Sequence, residues 1–215
     1  MIILMPLLTF ILQIIIYSVL PLLGVLFLGW DWKQILILFW LENITVGLMA
    51  IVAMARTNDA LAGTVTLNKD SGMRLNGAVA KVTGITFFVL HYGMFTFIDG
   101  IFVFALTSGV LMTLNLSHAE LPAGILVVLG MWATASVVKI TVAFIQPAPT
   151  NPIEQQMFNP YKRIIPLHIA IVLGAFAMIL LGLPSIAVIV LIVIKLIFDI
   201  KNYRSELVTR NSIQV

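Results

Sequence analysis

Seven ionisable side chains fall inside stretches that are otherwise apolar: Glu42, His91, Asp99, Lys139, His168, Lys195 and Asp199. Asn43 adds an amide beside Glu42. Each charged group costs a few kcal/mol in hydrocarbon, so each is a candidate for function. Together the eight predict an intramembrane polar cavity. Histidine nitrogens and carboxylates suit zinc or another divalent ion, and His91, His168, Glu42 and Asp199 are the available ligands. A metal held there with one position left for water would support hydrolysis. The same residues suit carriage of a proton, a cation or a small solute. They also suit a third role, in which polar groups only fasten helices together in a membrane scaffold or assembly partner. Two histidines on separate helices could hold haem iron, but nothing else in the sequence asks for haem.

These residues need an apolar frame, and the composition supplies one. The chain has 215 residues, of which 61% are apolar and 10% charged. Soluble domains carry about 45–50% and about 25%. So few charges cannot cover that much apolar surface in water, and the chain reads as an integral membrane protein. The absence of cysteine removes disulfides, thiolate metal sites and cysteine nucleophiles together.

A spanning helix takes about 20 apolar residues. Six segments meet this, at about 5–29, 34–55, 82–108, 122–145, 163–181 and 184–201, forming one all-α transmembrane bundle over 1–215. The first lacks a basic leader and a small-residue cleavage site, so it reads as a retained span in which Pro21 predicts a kink. The third stretch runs on towards Leu116 and is tilted, broken near Gly100 or continued along the surface. Leu181-Gly182-Leu183-Pro184 reads as a tight hairpin between the last two spans, and Thr57 to Ala80 as an ordinary connector. The 146–160 loop is proline-rich and partly stiff.

Six spans put both termini on one side, and the positive-inside rule makes that side cytoplasmic. The cytoplasmic segments then hold nine of the twelve Lys and Arg: Arg56, Lys69, Arg74, Lys81, Lys162, Arg163, Lys201, Arg204 and Arg210. Lys33 alone lies outside, and Lys139 and Lys195 lie within spans. The net charge of +3 therefore follows topology and forms no stripe for nucleic acid. The expected partners are the lipid bilayer and a second membrane chain, either a copy or a different protein.

Counting about 1.5 Å per residue from the cytoplasmic end of each span sorts the polar residues into two layers. Asp199 falls within about 5 Å of the inner face, His168, Lys139 and Lys195 about 8–10 Å deep, and His91 about 13 Å. Glu42 and Asp99 fall near 20 and about 24 Å, in the outer half, with no lysine or arginine expected at the depth of Glu42. Lys195 and Asp199, spaced i,i+4, can pair. Lys139 shares a face with Ser136 and Trp132 and would snorkel to the inner surface. The similar depths of His91 and His168 favour a shared site.

The sequence has no H-E-x-x-H, no Walker loop, no G-x-G-x-x-G after a strand and no G-x-S-x-G. Nor is there an internal repeat of the kind transporters carry. Asn115-Leu116-Ser117 matches a glycosylation sequon.

Four blocks stand out: Phe39-Trp40-Leu41-Glu42-Asn43; His91-Tyr92-Gly93-Met94-Phe95; Asn159-Pro160-Tyr161-Lys162-Arg163-Ile164 with Leu167-His168; and Lys195 with Asp199. In this order the chain resembles an uncharacterised family of prokaryotic six-helix integral membrane proteins, over about 39–200. The resemblance implies a prokaryotic inner-membrane location and supports these residues as a site; it implies no reaction. In that pattern a histidine often precedes the glycine matching Gly100 and another follows the aspartate matching Asp199. Here Asp99 and Asn202 or Tyr203 stand near those places, which weakens a shared metal role.

Overall fold

The computed structural model describes residues 11, 14–59, 64–68, 73–108, 124–162, 164–165, 168–169, 189–201 and 204. The Leu181–Pro184 hairpin, the Asn115 sequon, most of the 163–181 span and the start of the 184–201 span lie outside these residues.

The described part is a helix bundle with one small hairpin. A π turn at Ile15–Val19 leads into α1 (Leu20–Phe27), followed by α2 (Trp32–Arg56), β1 (Thr64–Asn68), β2 (Met73–Asn76), α3 (Gly77–Thr107), α4 (Ile125–Ile145) and α5 (Ile153–Phe158). A final helix, α6, covers 189–201. Three of these, α2, α3 and α4, are long and apolar enough to cross a membrane. They fall on the expected 34–55, 82–108 and 122–145 segments.

The bend expected at Pro21 takes the form of the π turn. Pro21 has no N–H for the Tyr17 carbonyl and its ring crowds that oxygen. The turn opens to relieve this, and the Leu20 N–H reaches back to the Ile15 carbonyl instead.

α2 is the central element. It starts on Asp31, whose carboxylate accepts from the Lys33 N–H at 3.2 Å. Its buried residues lie all round the helix, from Ile35 and Leu36 to Glu42, Asn43 and Met54, the mark of an interior helix. α3 instead buries one stripe, at Ala80, Gly84, Phe88, Tyr92, Thr96, Asp99 and Val103, spaced three and four apart against α2. Two reciprocal contacts set how α2 and α3 meet. The Trp40 ring of α2 lies on Gly100 of α3, and the Tyr92 ring of α3 lies on Gly47 of α2; a Cβ at either glycine would come within 2.7 Å of the ring. Gly100 is therefore a seat for Trp40 in an unbroken helix, not the break allowed by the sequence. Valine at Gly47 or Gly100 is expected to cost about 1–3 kcal/mol through overpacking. Thermal unfolding in detergent, followed by tryptophan fluorescence, checks this.

Two connectors differ from expectation. The Thr57–Ala80 segment holds an antiparallel ladder that pairs Thr64 with Asn76, Val65 with Leu75 and Thr66 with Arg74. Its β-branched threonines and valine favour strand. The 146–160 segment folds back into the bundle. Ile153 is fully buried between α2 and α3 and rests on Gly84. Gln156 Nε2 donates to Thr57 Oγ1 and to the Asn151 carbonyl, both at 2.7 Å. Arg56 donates to the Ala143 and Gln146 carbonyls, bonding groups that the end of α4 leaves open.

Candidate functional site

The polar residues form three groups around α2 and α3. The largest draws its four charges from three helices and is walled by the π turn. Glu42 comes from α2, Lys139 from α4, and Lys195 and Asp199 from α6, one turn apart. Lys195 Nζ donates to Asp199 Oδ2 at 2.6 Å and lies 2.9 Å from Glu42 Oε2. The first contact is a directed hydrogen bond; the second is an ion pair whose angle falls outside hydrogen-bond geometry. Lys139 Nζ stands 3.9 Å from Glu42 Oε1. None of the four side chains is more than 9% exposed. The Tyr17 ring forms a wall: Lys139 Nζ is 4.7 Å and Lys195 Nζ 5.8 Å from its centroid, with the Phe39 ring 5.4 Å from Lys195 Nζ. Rings in this position attract the ammonium groups without competing for the carboxylates.

Beside the charges runs a chain of hydroxyls. The Tyr17 hydroxyl lies beside Thr45 and Ser136, outside hydrogen-bond geometry. Thr45 Oγ1 and Ser136 Oγ are 2.7 Å apart, and Trp132 Nε1 donates to Thr45 Oγ1 at 2.8 Å. Two carboxylates and two ammoniums cancel. Burying one unpaired ion costs several kcal/mol, so this neutrality makes the cluster tolerable in an apolar bundle.

The absence of a basic partner at the depth of Glu42 is thus corrected, as is the snorkelling of Lys139. The depth count placed Cα atoms and ignored side-chain direction. On a helix the Cα–Cβ bond tilts towards the N-terminus, and long side chains continue that way. Lys139 and Lys195 accordingly carry their ammoniums back along α4 and α6 to Glu42.

The second group joins α3 to the stretch that carries His168. His168 Nδ1 contacts Asp99 Oδ1. Asp99 is 3% exposed and His168 39%. Next to it, Trp40 Nε1 donates to the Thr96 carbonyl at 2.8 Å, and the Tyr92 hydroxyl donates to the Asn43 carbonyl at 3.0 Å. The third group is His91, whose Nδ1 is 2.7 Å from the Tyr161 hydroxyl and whose ring stacks on Phe87 at 5.3 Å between centroids.

The two histidines are therefore not brought together. Tyr161 pairs with His91, and His168 pairs with Asp99 seven to eight residues further along both stretches, about 10–12 Å at helical rise. The returning 146–160 segment explains the shift: the chain reaches Tyr161 already level with the middle of α3, so counting depth from residue 163 put His168 too shallow. The proposed ligands His91, His168, Glu42 and Asp199 are divided among the three groups. Among the described residues no cluster of three or more His, Asp or Glu is placed to hold a metal.

Sequence reasoning named all four charges of the main cluster but not Tyr17 and Thr45. A tyrosine and a threonine midway in apolar stretches were the available signals. Tyr161 lay within a conspicuous block, though its role as the partner of His91 was not visible there.

A family described as "Family of unknown function (DUF6498)" matches residues 7–213. No curated protein and no solved structure matches the chain.

Proposed function

We propose a function for this chain, which belongs to the DUF6498 family, from its own side chains, because the family description names no reaction. The reading is a multi-pass protein of a prokaryotic cell membrane, with six spans and cytoplasmic termini. It passes protons, or a small cation in exchange for protons, through the Glu42–Lys139–Lys195–Asp199 cluster.

One observation carries this reading. Lys195 directs its hydrogen bond to Asp199, while Glu42 is held by charge alone between two ammoniums. Glu42 is thus the carboxylate that can change partners. When it takes up a proton, its charge is lost and Lys195 settles on Asp199. When it releases the proton, the ion pairs re-form. Asp199 and Lys195 extend the path along α6, and the hydroxyls of Tyr17, Thr45 and Ser136 extend it between the π turn, α2 and α4. The lysine and arginine bias sets Arg56 and the end of α6 at the cytoplasmic side.

The test is proton flux into proteoliposomes, read by an entrapped pH dye under an imposed potential. Wild-type protein is expected to carry flux and Glu42→Gln to lose it while remaining folded. Flux no greater than in protein-free vesicles, or unchanged in Glu42→Gln, would overturn the reading.

A second reading rests on a different observation. The cluster ties α2, α4 and α6 to the π turn, and its charges cancel. Such a network could serve only to fix the bundle for assembly with another copy or a partner. It predicts stability losses on substitution and no flux.

A further inference from the structure

We infer that the Asp99–His168 pair is a separate binding site whose imidazole accepts a hydrogen bond from a membrane-dissolved molecule bearing an acidic hydroxyl, of the phenol or quinol class. The inference does not rest on the transport reading, which uses neither Asp99 nor His168.

The chemistry begins with the carboxylate. We take Asp99 as ionised; it can then only accept, and His168 Nδ1 carries the hydrogen between them. In the neutral imidazole, Nε2 then holds a lone pair and can only accept. A ligand for that edge must therefore be a donor. The carboxylate also pins the ring, so the direction of the lone pair is set before a ligand arrives.

The surroundings indicate where the donor comes from. His168 is 39% exposed, whereas Asp99 behind it is 3% exposed. Among the described residues, the exposed neighbours on its own stretch are apolar: Ile165 is 54% and Ile169 51% exposed. Asp99 is eight residues from the end of α3, about 12 Å inside it. An open acceptor at that depth, between isoleucines, meets lipid more readily than bulk water, and an unsatisfied polar group there is costly. Asp99 Oδ2, itself buried, makes no hydrogen bond among the described residues.

Diethyl pyrocarbonate acylates a free imidazole lone pair, and mass spectrometry of the His168 peptide reads the rate. In detergent-purified protein we expect His168 to react. Decylubiquinol, which donates O–H, should protect it at about fivefold lower concentration than decylubiquinone, which cannot, the difference expected of one neutral hydrogen bond. In Asp99→Asn the amide can donate to Nδ1, which moves the hydrogen to Nε2 and reverses the preference towards the quinone. An unreactive His168, equal protection by the two probes, or no protection by either would overturn the proposal. The wild-type comparison decides it even if Asp99→Asn fails to fold. Flux through Glu42 should be unaffected by the outcome, so failure here and failure of the transport reading are distinguishable.

Discussion

Exchanging Lys195 for methionine is expected to destabilise the protein by about 3–5 kcal/mol, the usual consequence of removing one partner from a buried ion pair. Methionine keeps the stem and most of the volume, so packing beside the Tyr17 and Phe39 rings should survive. What is lost is the ammonium between Glu42 Oε2 at 2.9 Å and Asp199 Oδ2 at 2.6 Å. Two buried carboxylates would remain with one ammonium, Lys139, 3.9 Å from Glu42. One carboxylate must then take up a proton or draw in water, and either disturbs the centre of the bundle. Lys201, two residues beyond Asp199 and exposed, is the matched control: Lys201→Met should change stability by no more than about 0.5 kcal/mol. Denaturant unfolding in a fixed detergent separates the two. Equal effects at Lys195 and Lys201 would mean the cluster carries no stabilising charge balance.

The second large effect comes from restoring that balance by subtraction. Glu42→Gln alone leaves an excess positive charge in the cluster, and Lys139→Met alone an excess negative one. The double variant is neutral again. Its stability is expected to exceed the sum of the single losses by about 1–3 kcal/mol, as for residues in direct contact within one network. Proton flux should behave differently, absent from Glu42→Gln and still absent from the double variant. Recovered stability without recovered flux is the signature of a carboxylate that works as well as packs. Recovery of both would show that charge balance alone supports flux and that Glu42 has no role as carrier. A double variant no better than the sum would mean that Lys139 and Glu42 are not coupled.

Much of this frame was legible in the sequence because apolar length is a direct physical requirement. The three long helices fall on predicted segments, and their ends differ by a few residues where caps such as Asp31 and Gly124 decide. The cluster charges were legible for a related reason: an ionisable residue in an apolar stretch has few places to go. What was not legible is how the helices meet. The pairing of Glu42 with Lys195 depends on side-chain direction and on register between helices that are distant in sequence. The register depends on close approaches such as Trp40 on Gly100. No periodicity reports that a glycine faces a particular indole. The folding back of residues 146–160 was hidden by its composition, since prolines and amides read as a surface loop whether or not Ile153 is buried. That hidden return moved His168 away from His91 and towards Asp99.

The length of α3 has a consequence for the lipid itself. At about 1.5 Å per residue its 31 residues extend about 46 Å, against about 30 Å of hydrocarbon in an ordinary bilayer. α2, held antiparallel to it by Trp40 and Tyr92, is about 37 Å long by the same rise. Because the two glycine seats lock them together, neither can lean alone to hide its surplus. In a bilayer the pair would tilt as one body, and the π turn, α4 and α6 would follow through the Glu42 cluster. On the membrane-spanning reading proposed above, bilayer thickness would act on the geometry of the buried charges through this shared lean. Thicker membranes would let the pair stand more upright, and thinner ones would press it flatter.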